Sequence, residues 1–467
     1  MKRVMKVRDI VLMNLVAIIG LRWLPIAAGY GASAIILWIL AALLFFLPVS
    51  LISTELATAW PEEGGLYCWV KHAYGEKLAF LVSWFYWINS FFYLPGLLIF
   101  VAVTLSFVID PQLATSKIYV CSVVLTILWS ITLLNLRGMK VFKSIADIGG
   151  VGNVLPGIII IVLAFVSIVI LRHHIPTDYS LSAFIPKLDS TSNIAFLSTL
   201  MFSMAGIEIT PILAGETVNP QKTFPRAILI SVVSIVGIYI IATVAMTFIL
   251  PPSEIGTSSG IMDVLSSITT KFHMSFVMFI VAGLIVISGV GGMSVWMIAP
   301  IKMFFESTKE GILPPYFTKL NKKGLPAHAL LIQATIVTLV IILTSFLPSV
   351  NVFYATLLLM ATITYFIPYI AMFLAFLKLR KKCPNQVRPY KVPGGMSLSY
   401  LISGFGLLSV ILAIVLPFIS PPSDIVSFRD TLIYRLELSC GPILFFIIGY
   451  WLYTRYERKQ AAGNAGK

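Results

Sequence analysis

Two ionisable residues stand inside apolar stretches where a charge is costly: Arg22 in IIGLRWLP and Glu208 in FSMAGIEITP. A charge at bilayer depth costs on the order of 3 kcal/mol or more on insertion scales, so by default it marks a functional site. Each sits in a helix-breaking context. Gly20 lies two positions before Arg22; Ala205 and Gly206 precede Glu208, and Pro211 removes a backbone donor three positions after it. Backbone freed by such a break is tolerated in a membrane only where it is buried in protein or lines a cavity. Two interrupted segments at matching places in two halves point to the binding site of a transporter. A carboxyl there can sense protons, bind an ammonium or balance Arg22. The guanidinium keeps its proton, so it needs a carboxylate, carbonyls or water.

The elements that position these residues follow from composition. The chain has 467 residues, 58% of them hydrophobic and only 11% charged, with a mean hydropathy of +0.96. A soluble chain carries roughly 25% charged residues, so this is an all-α, polytopic membrane protein. A crossing helix needs about 20 residues. Twelve apolar segments qualify: 7–30, 34–56, 78–109, 118–136, 144–171, 194–215, 227–250, 274–305, 327–347, 353–377, 398–419 and 436–453. They form one transmembrane domain over 1–453, followed by a short basic tail, 454–467. The third and eighth are overlong and are expected to tilt or project. The basic, apolar N-terminus resembles a signal peptide but reads as the first retained helix, because many spans follow and no convincing cleavage site is present.

The net charge of +14 is a matter of placement, not of nucleic acid binding. With the N-terminus inside, the external segments hold Lys117, Arg172, Lys187, Lys271, Arg429 and Arg435, and Arg22 lies within the membrane, leaving 26 of the 33 Lys and Arg residues cytoplasmic. That bias puts both termini in the cytoplasm of an inner-membrane protein. KLRKK (378–382) is read first as a topology signal and second as a contact for anionic lipid. Cys68, Cys121, Cys383 and Cys440 show no metal or redox spacing. A membrane enzyme is disfavoured, since no His/Asp/Glu cluster has metal spacing and His173 and His174 fall in an external loop.

Four stretches carry a resemblance. ELATAWPEEGGLYCWVKHAYG (55–75), GIE followed by NPQKTFPRAI (206–228), WMIAPIKMFFESTKEGILPPYFTKLNKKGLPAHALLIQA (296–334) and RPYKVPGG (388–395) resemble, in order, the amino acid–polyamine–organocation superfamily, nearest its glutamate/GABA antiporter branch. The resemblance implies a LeuT-type core, helices 1–5 and 6–10 as inverted repeats with helices 11 and 12 appended. It implies exchange of amino acids or their decarboxylation products across the lipid bilayer with no bound cofactor. An importer or exchanger of neutral or cationic amino acids or polyamines is the alternative within transport. A nutrient sensor is a further alternative, though no cytoplasmic segment is long enough for an output domain. A homodimer stands open as the oligomeric state.

An amino acid offers a carboxylate and an ammonium, and a broken helix offers free N–H groups and free carbonyls to meet them. Ile18, Ile19 and Gly20 on helix 1, with Ala205, Gly206 and Ile207 on helix 6, are the expected clamp. Arg22 departs from the superfamily, whose usual GSG or GTG is here Gly20, Leu21, Arg22. Glu208, a substrate carboxylate and the carbonyls of the break are its three candidate partners, with a structural pairing preferred. Related acid-resistance antiporters use a glutamate at the place matching Glu208 for pH response. The last helix is expected to end near Tyr453 with only a short basic tail after it, so their closing C-terminal plug is expected to have no counterpart here and any pH gating to come from the core. Asn153 stands where some proton-coupled relatives carry lysine, and asparagine cannot titrate. Phe202 matches an aromatic gate and Trp296 a substrate-stacking tryptophan of relatives that handle arginine and agmatine. Tyr86, Ser90 and Tyr93 share one face of helix 3. Glu55 and Asp147, nearer the cytoplasmic ends, are read as structural.

Overall fold

A computed structural model of the chain describes residues 5–62, 64–137, 139–169, 174–186, 191–210, 217–308, 311–313, 317, 319, 321, 326–419 and 427–465. Their regular structure is helical, with one isolated bridge between Met5 and Thr217 and no strand among the described residues. The first helix is in two pieces, α1 (Val7–Ile18) and α2 (Trp23–Ala28). Next come α3 (Ser33–Ala41), a π turn (Ala42–Phe46), α4 (Leu47–Ala59), α5 (Leu66–Tyr74) and α6 (Glu76–Ile109). Then follow α7 (Lys117–Asn135), α8 (Met139–Val169), α9 (Thr191–Ser203) and α10 (Pro220–Ile249). The rest are α11 (Gly260–Lys271), α12 (Ser275–Ser307), α13 (Ala327–Thr344), α14 (Val350–Lys382), α15 (Gly395–Ile419) and α16 (Phe428–Ala465).

Among the described residues, 9 helices are long and apolar enough to cross a membrane. The first expected segment is interrupted, its helix stopping at Ile18, and the segment at 194–215 breaks after Ser203; α8 runs 31 residues, Met139–Val169, with most side chains of its first half outside the described residues. Both breaks stand where the small residues put them. Residues 19–22 are non-helical, and after Ser203 the chain turns at Gly206, φ +121°, into a tight 3₁₀ turn over 207–210 that carries Glu208. Only glycine adopts that φ without strain. Pro211 and the side chains of Asp147 and Asn153 lie outside the described residues.

The interior is built around α6, which packs on α12, α14 and α5, while α12 packs on α8 and α1 lies along α10. The approach of α8 to α12 rests on small residues. A Cβ on Gly149 would meet the Gly291 Cα at 2.4 Å, so the two backbones touch, as packing in lipid favours. The π turn carries Phe45 against Phe366 and Tyr369 of α14, with ring centroids 5.0 and 5.5 Å apart. Such bulges concentrate near functional sites.

Two expectations change. The last helix runs past Tyr453 through Ala465, so the basic tail is mostly its continuation. Its charges fit a projecting helix: Glu457 pairs with Lys77 at 3.4 Å and Arg455 lies over the Trp451 ring. The short amphipathic helices α5 and α11 also occupy stretches read as loops. Gly75, at φ +89°, turns the chain between α5 and α6.

Arg380 departs from its basic neighbours as well. In the KLRKK run it points inward and is 9% exposed, whereas Lys381 is exposed. Its Nε donates to Glu55 Oε1 at 2.9 Å and its terminal nitrogens reach Glu55 Oε2, the Gly395 and Val392 carbonyls and Ser399. Arg388 adds a second guanidinium at 3.1 Å from Glu55, and the Val392 N–H donates to Glu55 at 2.7 Å. One buried carboxylate thus ties the end of α4 to the end of α14 and the following loop. Glu55 is structural, as expected from its position.

Candidate functional site

The break of the first helix opens on a cavity of about 490 Å³. Its walls come from α1, residues 19–22, α6, α8, residues 209–210 and α12, and it extends along α1 as far as Leu12. Of the residues expected to bind, Ile18, Ile19, Gly20, Arg22, Tyr93 and Trp296 line it. Ala205, Gly206, Ile207, Glu208, Phe202, Tyr86 and Ser90 do not line this cavity. Ser90 is turned back onto its own helix, donating to the Trp87 carbonyl.

Phe202 packs behind the cavity wall. Its ring meets Trp23 edge-on at 5.6 Å, Tyr93 at 6.1 Å and Tyr365 at 5.4 Å. Trp296 closes the same layer, 4.7 Å from Tyr93 and 6.1 Å from Tyr365. Of these rings Trp23, Tyr93 and Trp296 line the cavity, and Phe202 and Tyr365 pack against them from behind.

Arg22 and Glu208 do not pair. Glu208 Oε1 accepts from Tyr86 at 3.1 Å and Tyr365 at 2.7 Å, and Oε2 accepts from Tyr369 at 2.5 Å. The Tyr86 and Tyr365 hydroxyls lie 2.8 Å apart, so their two protons are distributed over three short contacts, the third being this one. Three hydroxyls from α6 and α14 therefore surround the carboxylate. Arg22 instead lies against aromatic faces, its Cζ 4.3 Å from the Trp23 ring and 4.2 Å from the Tyr93 ring. The preferred scaffold pairing is thus corrected: the chain of ring contacts Tyr93, Phe202, Tyr365 runs between the two charges, and each has other company.

Backbone groups of the expected clamp are held by tyrosines in this structure. Tyr239 of α10 accepts from the Gly20 N–H at 3.2 Å and shares its own proton between the Ile18 carbonyl at 2.7 Å and the Ser203 carbonyl at 3.0 Å. The Gly206 N–H donates to the Tyr369 hydroxyl at 3.2 Å. Tyrosine hydroxyls therefore occupy backbone groups that the breaks release, as a low-dielectric setting demands. They also couple the breaks: Tyr239 holds both at once, and Tyr369 links the second to Glu208.

Sequence reasoning missed Tyr239, Tyr365 and Tyr369. A signal existed for two of them. Tyr365 and Tyr369 are spaced i, i+4 in TYFIPY, a repeated hydroxyl on one face of an apolar helix. Tyr239 stands alone among apolar neighbours in VGIYIIATV, where a buried tyrosine needs a partner for its hydroxyl but nothing names it.

Two broken helices beside a cavity, inside a protein with many apolar helices, fit a transporter. The family model described as "Amino acid permease" matches residues 10–447. The chain belongs to the amino acid permease family. That family lies within the amino acid–polyamine–organocation superfamily, whose members are membrane transporters. Among its relatives, an "Uncharacterized transporter" of Legionella pneumophila is 35% identical over 98% of both chains. A "Probable agmatine/putrescine antiporter" of Lactococcus lactis is 27% identical, over 94% of this permease and 92% of that protein. A "Glutamate/gamma-aminobutyrate antiporter" of the same species is 26% identical, over 90% and 84%.

Proposed function

We propose that this permease is an antiporter of the cytoplasmic membrane, exchanging a glutamate- or GABA-like amino acid for a related amino acid or its decarboxylation product. The observation that carries the reading is the cavity at the α1 break, large enough for a small amino acid, with Tyr239 joining that break to the second. A site shared by two interrupted helices gives alternating access its moving parts: tilting α1 or α9 about its break opens one side while the stitched centre stays in register. The apolar segments are read as twelve crossings with helices 1–5 and 6–10 as inverted repeats, both termini cytoplasmic; the two interrupted segments then hold equivalent places. Antiport is the activity for which two relatives are named.

The test is counterflow. In proteoliposomes loaded in turn with each amino acid, GABA, agmatine or putrescine, uptake of the labelled compound is expected to accelerate when unlabelled substrate is inside. Uptake indifferent to internal substrate and driven wholly by a Na⁺ or H⁺ gradient refutes antiport.

A further inference from the structure

We infer that the Arg22 guanidinium is the docking point for a substrate carboxylate, so that the site takes zwitterionic or anionic amino acids and rejects amines that lack a carboxylate. The inference rests on the antiporter reading above and narrows its substrate class.

Arg22 is 2% exposed and lines the cavity. Both of its terminal nitrogens are buried without a hydrogen-bond partner among the described residues. Its company is the pair of rings on Trp23 and Tyr93. A ring face stabilises the cation's charge but supplies no acceptor for its in-plane N–H donors. Those donors form a fork whose geometric match is a carboxylate held by two parallel hydrogen bonds. The rings keep the guanidinium in one place, so little freedom is lost when the fork is filled.

The rest of the cavity supports the same chemistry. Arg22 is the one charged residue among the described residues that line it. Glu208, the acidic group that could have attracted an ammonium, is sequestered behind Tyr86, Tyr365 and Tyr369. The backbone N–H groups of Gly20 and Gly206 are engaged by Tyr239 and Tyr369, so they compete weakly for the carboxylate. Among the described residues that line the cavity, a diamine entering here meets a fixed positive charge and no fixed negative one. An amino acid meets a partner for its carboxylate.

The experiment uses the full chain in nanodiscs, read by ligand-induced thermal shift, and in proteoliposomes, read by counterflow. The probes are glutamate, GABA, alanine, putrescine, agmatine and 4-aminobutanamide, the last matching GABA in length but lacking its carboxylate. The wild-type protein is expected to bind and exchange GABA or another carboxylate compound, and to bind 4-aminobutanamide, putrescine and agmatine at least about tenfold more weakly, the low end of what a charge-assisted hydrogen bond contributes. Arg22→Gln is expected to lose about 10- to 100-fold in affinity for the carboxylate compounds. Arg22→Lys, which keeps the charge but not the fork, is expected to fall between. Putrescine, agmatine or the amide exchanging as well as the carboxylates, or Arg22→Gln retaining full affinity, overturns the inference while leaving transport intact. If Arg22→Gln does not fold, the wild-type comparison of GABA with its amide decides. Failure of every probe to bind or exchange refutes the antiporter reading and the inference with it.

Discussion

Replacing Tyr239 by Phe removes one oxygen from the point where the two broken helices meet. The ring itself is stacked on Trp38 at 4.5 Å, nearly parallel, so the phenylalanine keeps the packing and leaves no large void. What is lost is specific. The Gly20 N–H loses its acceptor, and the Ile18 and Ser203 carbonyls lose the proton they share. An orphaned buried donor costs about 1–3 kcal/mol and a lost neutral hydrogen bond about 1 kcal/mol more, which gives a destabilisation of about 2–4 kcal/mol. The upper part of that range applies if water does not reach the site. The functional loss is expected to exceed the stability loss, because Tyr239 joins the breaks of α1 and α9 and so sets how they move together. The assay is paired: thermal unfolding in detergent, and the initial rate of counterflow in proteoliposomes with matched protein. A melting curve and an exchange rate both indistinguishable from wild type refute the claim that Tyr239 couples the breaks. A lower melting temperature with an unchanged exchange rate reduces it to a local brace.

Glu208→Gln keeps an acceptor for Tyr86 and Tyr365 but turns a donor towards Tyr369, whose hydroxyl already accepts from Gly206. The variant is expected to fold and to flatten the pH dependence of exchange between neutral and acid conditions; a wild-type pH profile excludes Glu208 as the proton-responsive group. Glu55→Gln strips the countercharge from two buried guanidinium groups, those of Arg380 and Arg388. Breaking a buried pair from one side costs about 3–5 kcal/mol. Unfolding measurements are expected to show a loss of that size and a partial recovery in the Glu55→Gln, Arg380→Gln double variant. Additive losses remove the coupling.

Much of the frame was legible because it is written locally. Mean hydropathy and segment length gave the membrane class, and Gly20 and Gly206 marked both interruptions without reference to any other part of the chain. The motifs at 55–75, 206–228, 296–334 and 388–395 led to the family that the whole-chain comparison establishes. Glu55 was recognised as structural from its place near a helix end. Its partners were not, since Arg380 lies in a run of cations and nothing in KLRKK says that one of them turns inward. That choice is a matter of helical phase. Arg380 is on the side of α14 that faces Glu55, while Lys381 is rotated past it.

The charged centre divides in the same way. By itself the sequence determined that Arg22 and Glu208 lie at two breaks within the membrane, and that both need partners, because the cost of an unpaired charge in a low dielectric depends only on residue type and depth. Which partners they take was decided by the tertiary structure. Tyr86 and Tyr365 stand 122 and 157 positions from Glu208, and their hydroxyls reach it because α6 and α14 pack side by side. Sequence proximity carries no information about contacts made across packed helices, whose rotation is set by the fit of whole surfaces. Two opposite charges that composition would join are thereby kept apart, one enclosed by hydroxyls and the other left facing the cavity.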